Sequence, residues 1–239
     1  MYSNLLSIGA SAKALVILGV VGCAGAVSAQ ALIIDDFNTG PYSVTLTTEG
    51  SMNTAFQDGS VLGGTRTTRL FVESNPLNRD ITLAIGNGFA VSDSGTMADS
   101  WVRLGYGYRQ AVNGGLEVDE LNEDLSGHLA FSIDFLANDL LNDIKVYAGT
   151  WNGTSLDLST ATAQVLGGVP FASSTLIPIS SFTGSASFSD IDVLVFEFDN
   201  SASGDFALSG ISAVPEPASM LAIGLGITGL LARRRRNKA

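Results

Sequence analysis

Between residues 129 and 136 apolar and polar side chains alternate. Phe131, Ile133 and Phe135 fall on one side of an extended chain, and Ser132 and Asp134 on the other. Successive side chains of a strand point to opposite faces, so this period of two specifies a half-buried β-strand. Residues 191–198 are apolar on both sides: Ile191, Val193 and Val195 share one, and Leu194, Phe196 and Phe198 the other. That pattern marks a central strand between two layers. A chain built on these two stretches must bury sheet faces against each other.

Further short runs of β-branched and aromatic residues predict strands at 31–34, 42–48, 66–73, 101–108, 143–150, 160–165, 171–179 and 206–211. Residues 81–85 and 89–92 form a hairpin around Gly86, Asn87 and Gly88. Residues 49–60 read as a polar loop, and 117–125 has helical character in a short, strongly acidic stretch. No internal repeat stands out. The expected fold is all-β, a two-sheet, jelly-roll-like sandwich.

Both ends read as targeting segments. Residues 1–29 form a signal peptide, with Lys13 as its only charge, an apolar core at 14–21, and small residues up to Ala29, so that cleavage leaves Gln30 first. Cys23 follows Val20, Val21 and Gly22, an order that resembles a lipoprotein lipobox and offers a second processing route. At the other end stand Val214, Pro215, Glu216 and Pro217, then an uncharged run at 218–232, then a basic tail at 233–239 that opens with Arg233, Arg234, Arg235 and Arg236. The prolines are expected to keep this tetrapeptide out of the last strand. The run of fifteen residues spans about 22 Å as a helix, short of a full bilayer core, and snorkelling arginines make up the deficit. Those arginines hold the C-terminus on the cytoplasmic side.

Residues 30–213 remain as one domain. They contain no cysteine, so no disulfide supports the fold. Six of the twelve bases (Lys13, the four tail arginines and Lys238) and one of the 23 acids (Glu216) lie outside this body, which therefore carries about −16. Such a surface repels nucleic acid and anionic lipid and suits divalent cations outside the cell.

The order Pro-Glu-Pro, apolar helix, basic terminus resembles the PEP-CTERM sorting signal of exported bacterial proteins, a tail also labelled an ice-binding-protein C-terminal domain. The resemblance implies a membrane processing enzyme, an exosortase, as partner. The body is similar to jelly-roll carbohydrate-binding modules at Ile34 to Phe37, Val61 to Arg66, Phe131 to Asp134, and Asp205 with Phe206. In such modules a structural calcium often joins the first and last strands, which here implicates Asp35, Asp36 and Asp205; the alternative is that these acids only cap turns.

Catalytic motifs are sparse. His128 is the only histidine, and no G-x-S-x-G elbow or P-loop occurs. Glu117, Asp119, Glu120, Glu123 and Asp124 form the densest acid cluster and read as a solvated loop. Two stretches starting at Asn122 and Asp199 imitate a calcium loop but carry Ile133 and Gly210 where the bidentate Glu belongs. Sugar C–H faces stack on aromatic rings with a few polar partners, which makes Trp101, Tyr106, Tyr108 and Trp151 the aromatic candidates for carbohydrate, with Arg103 beside Trp101. Strict alternation puts Trp101 with Arg103 on one face, and Tyr106 and Tyr108 with Leu104 in the core. The expected protein is exported, held in the inner membrane by its tail until processed, and then displayed at the surface or in the extracellular matrix. Its body is expected to be non-catalytic and to bind polysaccharide. A structural envelope or biofilm protein and a secreted glycosidase are the other readings the residues leave open.

Overall fold

The computed structural model describes residues 31–110, 116–168 and 172–216. The signal segment with Ala29 and Gln30, Cys23, Pro217, the apolar run 218–232 and the four terminal arginines lie outside these residues. Among the described residues no helix is long and apolar enough to cross a membrane.

Sixteen strands form in the described residues. Sheet A holds β1 (Leu32–Asp35), β2 (Tyr42–Leu46), β5 (Ile81–Gly86), β6 (Phe89–Ser94), β10 (His128–Asn138), β13 (Ser173–Pro178) and β16 (Phe206–Pro215). Sheet B holds β3 (Met52–Asp58), β4 (Thr65–Ser74), β7 (Asp99–Tyr106), β11 (Asn142–Trp151), β12 (Leu156–Val165), β14 (Thr183–Gly184) and β15 (Val193–Asn200). A small ribbon pairs β8 (Tyr108–Gln110) with β9 (Leu116–Val118). In space sheet A runs β13-β10-β16-β6-β5-β2 with β1 also on β16, and sheet B runs β14-β12-β11-β15-β7-β4-β3. All pairings are antiparallel. The fold is an all-β two-sheet sandwich.

The two stretches with the clearest patterns become β10 and β15, one in each sheet. From β10, Phe131, Ile133 and Phe135 point inward, and Leu194, Phe196 and Phe198 meet them from β15, all buried. Phe131 lies edge-on to Phe196 at 5.5 Å, and Phe198 packs on Phe206 at 5.2 Å. Such tilted aromatic contacts add to the burial of large apolar surfaces. β15 is central within sheet B, between β11 and β7. Only one of its faces carries a second layer, however. Val193 and Val195 point away from sheet A and floor a hollow instead.

Two sequence expectations are corrected. The "polar loop" at 49–60 contains β3, paired with β4 from Met52 to Asp58. Two of its inward positions, Asn53 and Gln57, are polar and hide the alternation. Asn53 accepts the Tyr42 hydroxyl at 2.6 Å, and buried Gln57 accepts Arg66 at 3.2 Å and Thr68 at 2.6 Å. The stretch 117–125 is not helical. It leaves β9 as an extended segment with Glu120 and Asn122 at positive φ, and it bridges Ile191 through Glu123. Its acids repel one another along any helix face, whereas buried Leu125 anchors the extended path.

Candidate functional site

The outer face of sheet B carries the densest arrangement of rings and charges. Its register aligns residues from distant parts of the chain in rows. One row runs Phe71, Trp101, Asp199, Asp143 across β4, β7, β15 and β11. The next runs Arg69, Arg103, Glu197, Lys145, and the third Thr67, Gly105, Val195, Tyr147. The alternate residues of these strands, such as Leu70, Val102, Leu104, Ile144 and Val146, are buried against sheet A.

Trp101 is held from two sides. Phe71 stacks on it at 5.2 Å and 27°, and the Arg103 guanidinium lies 4.3 Å from its ring centre. Arg103 donates from Nε to Glu197, whose other oxygen is 3.7 Å from Lys145 Nζ. Beyond Arg103 opens a hollow of about 300 Å³. Arg69, Arg103, Tyr108 and Tyr147 supply its polar and aromatic wall, and Leu156, Leu158 and the β15 valines its floor.

Tyr108 is not in the core, contrary to strict alternation. Gly107 adopts φ +79°, which breaks the period of two between Tyr106 and Tyr108. Tyr106 stays inside, while Tyr108 folds back over the outer side of Gly105. A Cβ on Gly105 would lie 2.3 Å from the Tyr108 ring, so this approach requires glycine. Thr67 donates to the Tyr108 carbonyl at 2.6 Å and holds the turn. Burial pushes the Tyr108 hydroxyl pKa up, against the opposing fields of Arg69 and Arg103.

Past Trp101, the carboxylate oxygens of Glu73, Asp99 and Asp199 lie within 4.8 Å of one another, the group among the described residues best placed to offer oxygen ligands to a cation. Burial raises all three pKa values, and Asp199 reaches about 6, with Glu73, Asp99, Glu197 and Asp143 adding repulsion.

The acids singled out for calcium lie elsewhere and apart. Asp35 is wholly buried: it accepts Arg66 Nη1 and the Tyr106 hydroxyl, each at 2.8 Å, and the Phe37 amide at 2.8 Å. Asp36 accepts the amide and side chain of Asn38 at 3.0 and 2.9 Å, bonds that lower its pKa. Asp205 accepts the Ser94 amide at 2.7 Å. Asp35 stands opposite Ile211, six residues beyond Asp205, which is about 20 Å along a strand. The structure therefore does not bring Asp35 and Asp205 together. Trp151 is likewise remote from Trp101. It lies eight residues past Asp143 on β11, about 26 Å along the strand.

The tail corrects another expectation. Val214 and Pro215 do not stand clear of the last strand. They end β16, opposite Ala130 and His128, and the Glu216 amide donates to the Gly127 carbonyl at 3.2 Å. Proline is tolerated there because it sits at a strand end, where a missing donor costs little. His128 holds this corner of the sheet, its Nδ1 buried without a hydrogen-bond partner among the described residues. From this corner onward, residues 213–236 match the PEP-CTERM protein-sorting motif.

The chain carries a PEP-CTERM sorting signal.

No curated protein matches the chain in sequence. Among solved structures, the chain is similar to a family 11 carbohydrate-binding module from Clostridium thermocellum in complex with a β-1,3-1,4-mixed-linked tetrasaccharide. The identity is 17%, over 78% of this chain and 96% of that one, with a TM-score of 0.41. The family 11 module of the cellulosomal cellulase Lic26A-Cel5E of the same organism matches at 16% identity, over 78% and 95% of the two chains, with a TM-score of 0.40. A glycoside hydrolase family 43 arabinoxylan arabinofuranohydrolase from Bacillus subtilis, in complex with cellotetraose, matches at 9%, over 71% and 42%, with a TM-score of 0.27.

Of the carbohydrate candidates, Trp101 and Arg103 lie on the open face of sheet B, as alternation within one strand allowed. Nothing in the sequence reading singles out Arg69, Lys145 or Tyr147, and strict alternation places Tyr108 in the core. The alternation of β11 already separates Lys145 and Tyr147 from Ile144 and Val146. Only the pairing of β11 with β15, and of β15 with β7, sets them beside Arg103.

Proposed function

We propose that this protein is exported, sorted through its PEP-CTERM tail and processed by an exosortase, and that its body is a non-catalytic module that binds polysaccharide on the outer face of sheet B. The observation that carries the binding reading is the set Arg69, Arg103, Tyr108 and Tyr147 lining an open hollow of about 300 Å³, with Trp101 stacked against Arg103 at its edge. Rings fixed by neighbours lose little entropy when a sugar stacks on them, and the arginines supply planar donors to hydroxyls. Among the described residues no carboxylate lines this hollow, whereas glycoside hydrolysis uses an acid pair.

The binding reading is tested with the mature protein on a glycan array and on polysaccharide affinity gels. Retardation that falls when Tyr147→Ala or Trp101→Ala is introduced supports it. No retention on any polysaccharide leaves a structural envelope role, and release of reducing ends makes the protein a glycosidase. The sorting reading is tested in a host that has an exosortase. Pro215→Ala with Glu216→Ala should leave export intact while unprocessed protein accumulates in the membrane. Wild-type processing of that variant would reduce the tail to a simple anchor.

A further inference from the structure

The charges on sheet B narrow the ligand class. The body holds six bases against 22 acids. Arg66 is buried in its own network, which leaves five. Three of these, Arg69, Arg103 and Lys145, come from strands far apart in sequence and fall in one row across β4, β7 and β11, with Glu197 the one acid among them. On a body of about −16, this row is a local surplus of positive charge, and it adjoins the ring-walled hollow. A site for a neutral sugar needs rings and hydrogen-bond partners but no such surplus. Screening confines electrostatics to about 8 Å at physiological salt, so an anion in the hollow feels the row more strongly than the distant acids of the body. Of the acids named on this face, Asp143 and Asp199 stand in the Trp101 row, next to the basic row, and Asp99 and Glu73 lie past it, all four on the side away from the hollow. Glu197 takes the Arg103 Nε–H, and a guanidinium has four further N–H donors in a planar fork suited to a carboxylate or sulfate. The stacking on Trp101 keeps that fork in place.

We propose that the sheet B face takes an anionic polysaccharide, with its acid groups on Arg69 and Arg103, its sugar faces on Tyr108 and Tyr147, and Lys145 flanking the path. This deepens the polysaccharide reading and rests on it. The test compares matched polymers on affinity gels with the mature protein: polygalacturonate against the same polymer with its carboxyls reduced, and dextran sulfate against dextran. Binding to a charged member but not to its neutral match, weakened by salt, is the expected result. The pair that shows it tells carboxylate from sulfate. Arg69→Gln and Arg103→Gln should each weaken that binding by about tenfold, the size of one charge-assisted hydrogen bond. Lys145→Gln, which does not line the hollow, should weaken it less. Circular dichroism checks that each variant is folded. Equal or tighter binding to the neutral polymers overturns the anionic assignment and leaves polysaccharide binding standing. Binding to no polysaccharide overturns both.

The end of β16 carries a second inference, which rests on the sorting reading. An enzyme that reads Val214 to Pro217 in extended form needs backbone groups that this structure commits to β10: Val214 opposite Ala130, Pro215 opposite His128, and the Glu216 amide on Gly127. We infer that processing requires the end of β16 to leave sheet A. Strand ends open at little cost, so this step is local and leaves the core intact. Directly opposed residues of an antiparallel pair are within disulfide reach. In the full chain, Ala130→Cys with Val214→Cys should block processing in the oxidising exported compartment, and reductant should restore it. Ser132→Cys with Ser212→Cys, an opposed pair one step further in, leaves the end free and should be processed normally. Processing of the Ala130–Val214 disulfide at the wild-type rate overturns the inference. Failure of the wild-type chain itself to be processed overturns the sorting reading and this inference with it.

Discussion

Two arginine–carboxylate pairs stand on opposite sides of sheet B. Arg66 points inward from β4 to Asp35, and neither side chain retains any exposure. Arg103 points outward from β7 to Glu197, with 32% and 10% of the two side chains exposed. The inner pair is satisfied all round: Arg66 also donates to Gln57 at 3.2 Å and to the Gly40 carbonyl at 2.5 Å, and Asp35 receives Tyr106. This network ties β1 of sheet A to β3, β4 and β7 of sheet B. The outer pair orders one ring and leaves donors facing a hollow. The chemistry is the same, but burial makes one a clamp between sheets and the other a surface that can bind.

The sharpest way to break this comparison is Arg66→Met. It leaves Asp35 charged and unpaired inside the sandwich, which should cost about 3–5 kcal/mol. Denaturant unfolding measures this, and Asp35→Leu added to it should recover part of the loss, since a buried pair replaced by apolar groups is nearly neutral. A single variant as stable as wild type would mean that the clamp contributes nothing. Arg103→Gln should cost less stability than Arg66→Met, because Arg103 is one-third exposed and Lys145 remains 3.7 Å from Glu197, while it weakens polysaccharide retention. A large loss of stability there would make the outer pair structural too.

The smallest effect concerns Asp199, beside the outer pair. Its pKa is raised to about 6 by burial first and by Glu73, Asp99, Glu197 and Asp143 next. A carboxyl whose folded pKa exceeds its unfolded value of 3.8 stabilises the fold at low pH, and that contribution is lost as pH rises through about 6. Asp199→Asn should therefore melt slightly higher than wild type at about pH 8, with the gap closing or reversing towards pH 4. A gap that does not depend on pH would remove charge repulsion as its cause.

Much of the sandwich was legible in short windows. The alternation in β10 and the doubly apolar β15 announced their strands, because the side-chain period of an extended chain is local. β3 was not legible, because its inward positions hold Asn53 and Gln57, chosen for hydrogen bonds to Tyr42 and Arg66 rather than for apolarity. Tyr108 was assigned to the wrong side because one positive φ at Gly107 shifts the period. The buried ion pair of Asp35 was not legible, because nothing near it in sequence reveals Arg66, 31 residues on.

By itself the sequence determined the class of fold and the tail, since both depend on residues adjacent in the chain: alternation for strands, and the order of prolines, apolar run and arginines for the PEP-CTERM signal. Tertiary structure decided which face of sheet B stays open, which arginine is buried, and that β16 runs into the sorting motif without a break. Those outcomes depend on the register between strands tens of residues apart. That register is chosen by the packing of the inner faces, which no window of sequence contains.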